Sequence, residues 1–181
     1  MSTDEPLPPY TYVPGQSPHP SSDPQGHAYG EHPKPTTVQQ PEWWLNPAYR
    51  QGERLFLAGY YWEAHEAWES LWHALGRTGP EAAHVQGLIK LAACGVKCLE
   101  GNAAGAERHA RRALELLSSG ESTPDGQAWM QTASHVVQAL PVCDPPASGR
   151  TPQPLPGFTP DRRRGESRSS QDHSYPPQSD D

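Results

Sequence analysis

The chain is poor in cysteine, with three in 181 residues, and it has no apolar run near the ~20 residues of a membrane span and no basic surplus in any segment. An odd, small cysteine count sets no disulfide framework, so reduced thiols are expected. The N-terminus, MSTDEPLPPY, is acidic and Pro-rich where a secretory signal is basic and then apolar. The chain is therefore expected to be cytoplasmic and to make no use of a membrane. A net charge of −7, negative in the N-terminal, central and C-terminal parts alike, leaves no basic face for nucleic acid.

Proline is scarce only in the middle. Residues 1–41 and 141–181 hold 19 of the 22 prolines, and the 99 residues of 42–140 hold Pro47, Pro80 and Pro124. This divides the chain into a Pro-rich N-terminal tail (1–41), a folded domain (42–140) and a Pro-, Ser- and Arg-rich C-terminal tail (141–181). The tails have too little apolar surface to offset the entropy of ordering their backbone, and are expected to be disordered. Within them, Pro8-Pro9-Tyr10 has the look of a polyproline ligand. His19, His27 and His32 are a loose histidine set, and Arg162, Arg163, Arg164 and Arg168 form a short basic cluster diluted by acids. Biased composition alone produces all three patterns.

In the middle, turn signals fall at Asn46-Pro47, at Gly59, from Gly76 to Pro80, at Gly101-Asn102 and from Gly120 to Pro124. The intervals between them run at helical period, so the fold class is all-α: a compact bundle of about five helices joined antiparallel by short loops. Asn46-Pro47 and Thr78-Gly79-Pro80-Glu81 read as helix starts, and Gly101-Asn102 as the end of one helix and the cap of the next. On the second helix (60–75), Trp68 sits at the centre of an apolar arc with Ala64 and Leu71, while His65 and Glu69 lie on its edge, one turn apart. The third helix (80–101) is nearly all apolar except for one stripe of Gln86, Lys90 and Lys97. Its Cys94 and Cys98 are expected to pack as small apolar residues, because no second pair at zinc-site spacing follows. The fourth helix lines up Ala103, Ala106, Ala110, Ala113 and Leu117, and the fifth Trp129, Ala133, Val136, Val137 and Leu140.

The densest chemistry is Gly59-Tyr60-Tyr61-Trp62-Glu63-Ala64-His65-Glu66-Ala67-Trp68-Glu69 with Trp72, then Gln86-Gly87-Leu88-Ile89, then Gly101-Asn102. In order and spacing these blocks resemble the domain of unknown function 309 family, a small all-helical bacterial family, over roughly residues 47–117. The resemblance implies a helical bundle and no particular activity, and it marks Glu63, His65, Glu66, Glu69, Trp72, Gln86, Gly101 and Asn102 as hallmark positions. Relatives often carry a longer residue at position 95 and a histidine near 97. Gly95 and Lys97 stand here, which leaves the third helix without a second histidine.

Three functions fit these residues. The favoured one is a non-catalytic binding or scaffold module. In it, the acidic edge of the second helix (Glu63, His65, Glu66, Glu69) faces the Gln86, Lys90 and Lys97 stripe across a groove walled by Trp62 and Trp72, and takes a protein or a small polar ligand. The second is a metal-assisted, hydrolase-type enzyme built on His65 with Glu63, Glu66 and Glu69. Against it, zinc helices carry two histidines at this spacing and di-metal bundles need carboxylates on a second helix. The third is a purely structural polar network, with His65 bonded to Glu69 and the lysines to glutamates. No cofactor is implied. Trp43 and Trp44 are expected to pack back on the bundle, and homo-oligomer formation through the flank tryptophans stays open.

Overall fold

A computed structural model describes residues 6–31, 36–38, 42–119, 123–140, 143 and 151–160. A 3-10 turn, Trp43–Leu45, leads into five helices: α1 (Pro47–Leu57), α2 (Tyr61–Ala74), α3 (Gly79–Leu99), α4 (Ala103–Ser119) and α5 (Gly126–Gln138). No strand occurs among the described residues. Local chemistry sets the starts. The Asn46 side chain accepts the Ala48 N–H at 2.9 Å ahead of Pro47, and that of Asn102 accepts the Gly105 N–H at 2.8 Å. Thr78 occupies the N-cap of α3 in extended conformation, but its hydroxyl makes no capping bond. Gly101, at φ 77°, provides the left-handed turn that separates α3 from α4.

α3 is the central helix. It packs against both α2 and α4, while α1 lies on α2 and α5 on α4. Close approach of α3 to α4 depends on Gly87, where a Cβ would stand 2.7 Å from Leu117 Cγ. Ala106, Ala110, Ala113 and Leu117 of α4 are buried as the periodicity predicts. Ala103 is exposed, because it stands in the first turn of α4, past the end of α3. Trp68 is fully buried and donates its indole N–H to the Tyr49 carbonyl at 3.2 Å. Its ring fills the space where Gly52 lacks a side chain. Trp43, Tyr49, Phe56, Tyr61 and Trp129 complete the aromatic interior, so Trp43 does pack back on the bundle.

Within the Pro-rich tails, the described stretches 6–31 and 151–160 are seated on the bundle. Val13 is 3 % exposed, and Phe158 is fully buried against Phe56 and Tyr61. Leu155 N–H donates to the Tyr61 hydroxyl oxygen at 2.6 Å, and Gln16 Nε2 donates to the Leu99 carbonyl at 3.1 Å. The physical reason is that proline restricts the unfolded chain, so ordering such a segment costs less entropy and a few well-placed apolar anchors suffice. The expected loose histidine site and Arg cluster fall partly elsewhere: His32, Arg162, Arg163, Arg164 and Arg168 lie outside the described residues.

One buried group makes the bundle acid-sensitive. His84, 1 % exposed beside Trp43, has its pKa lowered to about 4 by burial, against a weaker opposing pull from Asp125. Between pH 6.5 and 4 the unfolded chain takes up this proton and the folded chain does not, so stability is full above 6.5 and falls as pH drops toward 4. Wild type should lose about 2 to 3 kcal/mol more than His84→Phe between pH 7 and pH 4.5, measured by urea unfolding. Equal losses would show that His84 is not the sensor.

Candidate functional site

The polar edge of α2 divides into two places with different neighbours. At its N-terminal end, Glu63 is taken up by the N-terminal segment. Thr11 Oγ1 donates to Glu63 Oε2 at 2.7 Å, and the Tyr12 backbone N–H donates to Oε1 at 2.8 Å. His27 Nε2 approaches Oε1 to 3.7 Å, and the carboxylate side chain is left only 9 % exposed. Beside it, the Trp62 indole receives the edges of Tyr12 at 4.7 Å and His19 at 5.7 Å between ring centroids. Tyr60 donates its hydroxyl to the Pro8 carbonyl at 2.9 Å. The Pro8-Pro9-Tyr10 stretch thus lies on the start of α2, and Tyr10 braces the segment from within by donating to the Pro18 carbonyl at 3.0 Å.

One turn further along, His65, Glu66 and Glu69 place one ligand-capable atom each within 4.8 Å of one another. The His65 ring stacks on Trp62 at 6.0 Å, and its Nδ1 stands 3.5 Å from Glu66 Oε1, without a hydrogen bond among the described residues. Glu63 does not join this group, since both of its oxygens face residues 11 and 12. All three members of the cluster come from one helix.

Of the lysine stripe, Lys97 pairs with a glutamate of its own helix end, as the structural reading expects. Lys97 Nζ bonds both oxygens of Glu100, at 2.9 and 2.6 Å, at the end of its own helix. Lys90 and Lys97, with Arg108 and His65, lie within electrostatic reach of His109 on α4. Burial and this surrounding positive charge hold the His109 imidazole below its usual pKa. Gln86 is half-buried on α3, and Trp72 packs partly buried against the core with its ring on His73. The residues that sequence reasoning missed are Thr11, Tyr12, Tyr60 and His109. The first two sit in a Pro-rich stretch without period, and the last is one polar position among many on α4.

The fold and this edge define a small all-helical bundle that concentrates its polar chemistry on α2, with a loop-rich segment of the same chain laid over the helix start. Residues 49–109, from α1 into α4, match the family model described as Domain of unknown function (DUF309). This matched segment holds every hallmark position named above, from Glu63 to Asn102. No curated protein and no solved structure matches the chain. No helix among the described residues is long and apolar enough to cross a membrane.

Proposed function

We propose that the domain is a non-catalytic peptide-binding module whose recognition surface is the start of α2. Tyr60, Trp62 and Glu63 read a turn-rich, Pro- and Tyr-containing segment, and in this chain residues 8–27 occupy that surface. The observation that carries the reading is the double acceptance by Glu63: one hydroxyl and one backbone N–H from adjacent residues. A carboxylate that binds main chain and neighbouring hydroxyl together fixes where residues 11 and 12 sit on the helix. Trp62 and Tyr60 add area and one directed bond to a carbonyl, a division of labour usual where aromatics anchor and fixed charges orient.

A second reading, metal-assisted hydrolysis, draws support from the closeness of His65, Glu66 and Glu69. It is weaker, because Glu63 is engaged elsewhere and the groups arriving from α3 and α4 are Lys90, Lys97, Arg108 and His109, which raise the cost of a cation nearby. The purely structural network has Lys97 with Glu100 in its favour, but His65 makes no bond to Glu69 among the described residues.

A chain lacking residues 1–31 should bind a synthetic peptide of residues 6–31 in trans, seen as a change in Trp62 fluorescence. Glu63→Ala removes two charge-assisted bonds and should weaken that binding by about tenfold or more. A folded truncated chain that ignores the peptide, or an unchanged affinity in Glu63→Ala, would overturn the reading.

A further inference from the structure

All three cysteines of the chain converge on one point of the bundle. Cys94 and Cys98, one turn apart on α3, are fully buried. Cys143 reaches them from beyond α5, and its thiol donates to Cys98 Sγ at 3.1 Å across 45 positions of sequence. Cys94 hydrogen-bonds Cys98 as well, and both α3 thiols lie close to the Tyr61 phenol. A disulfide has its sulfurs ~2.05 Å apart, so about 1 Å separates this contact from a bond.

We propose that Cys98 and Cys143 form a reversible disulfide that fastens the chain following α5 to the central helix. The half-buried Cys143 is the accessible thiol and makes the first attack. As thiolate it displaces one thiolate from a soluble disulfide such as oxidised glutathione, giving a mixed disulfide at Cys143. The Cys98 thiol then attacks the Cys143 sulfur and expels the second glutathione thiolate, which takes up the Cys98 proton. Two protein thiols are oxidised and one soluble disulfide is reduced to two thiols. The bond to Cys94, and after it burial, push the Cys98 thiol well above its usual pKa, which makes the second step the slow one.

The bond has a structural consequence at the nearby strap of residues 151–160. That strap is held on the bundle by Leu155 on the Tyr61 hydroxyl and by Phe158 against Phe56 and Tyr61. Oxidation anchors its upstream end to α3 and holds it closed, whereas reduction leaves it held by noncovalent contacts. Such a couple is consistent with a reducing compartment, where protein disulfides are transient and sense redox state.

The test uses the folded full-length chain in graded mixtures of oxidised and reduced glutathione, followed by acid quenching, alkylation and mass spectrometry. Wild type and Cys94→Ser should both lose two alkylatable thiols and yield a crosslink between the peptides bearing Cys98 and Cys143, and Cys143→Ser should yield none. Three alkylatable thiols under strongly oxidising conditions, a persistent glutathione adduct at Cys143, a Cys94–Cys98 link or a link between two chains would each overturn the proposal. Hydrogen exchange provides the second readout: residues 151–160 should exchange about tenfold more slowly in the oxidised chain. Equal rates in the two forms would refute the fastening of the strap.

Discussion

Phe56→Ala will destabilise the bundle by about 3 to 5 kcal/mol and lower its thermal midpoint by roughly 10 °C or more. Phe56 is fully buried near the end of α1, and four other rings meet it. Tyr61 stands 5.1 Å away, Trp129 5.3 Å, Trp68 5.6 Å and Phe158 5.7 Å between centroids. Those rings come from α2, α5 and the strap, so the cavity would open where three elements meet, and none can close it alone without giving up its contact with the others. The loss should also be uneven in space. Residues 151–160 should gain protease sensitivity before the helices unfold, because Phe158 loses its stacked partner while the α2 to α3 packing keeps Leu71, Leu88 and Leu91. A loss below 1 kcal/mol in urea unfolding would show that Phe56 is not the hub of the interior.

What the sequence made legible was local. Helical period on 60–75 placed Trp68 in the core, and the Asn46 and Asn102 caps needed only neighbours two or three positions away. Glu63 was legible as part of the motif, but its partners were not, because they lie 51 and 52 positions away in a Pro-rich stretch without period. Val13 and Phe158 are single apolar residues among prolines, and composition assigns such residues to solvent. Cys143 lies in the Pro-rich C-terminal stretch, and its contact with Cys98 is set by where the chain returns after α5. Lys97 with Glu100 was legible in principle, three apart on one helix, yet a search for partners across helices passes over it.

Several of these contacts share a direction. They bring non-helical segments onto the start of α2, residues 8–19 onto Tyr60, Trp62 and Glu63 and residues 153–158 onto Gly59 and Tyr61, while Gln16 and Cys143 reach α3 instead. Gly59, at φ 86°, lets this happen, because a Cβ there would stand 2.5 Å from the backbone of Gln153. The family hallmark therefore begins at the crossing point of both straps. On the two proposals above, a peptide surface and a redox-fastened strap on adjacent residues would give the domain two means of changing what covers α2.

Gly95→Val should cost about 3 kcal/mol and Gly95→Ala about 1 to 2, although alanine favours a helix over glycine by ~1 kcal/mol. Gly95 is matched by the ring of Tyr61. A Cβ on Gly95 would stand 2.5 Å from Tyr61 Cγ and 2.7 and 2.8 Å from its two Cδ atoms. The ring has no room to move: it is fully buried, its hydroxyl is bound by Leu155, and Phe56 and Phe158 flank it. Overpacking thus outweighs helix propensity, and the sign of the substitution should depend on the ring. In a Tyr61→Ala background the clash disappears and the propensity gain remains, so Gly95→Ala should become neutral or stabilising by up to ~1 kcal/mol. A double-mutant cycle in urea measures this reversal. If Gly95→Ala costs the same with and without the ring, the α2 to α3 contact is not set by Tyr61 on Gly95, and the fit of this glycine to that tyrosine fails as an explanation.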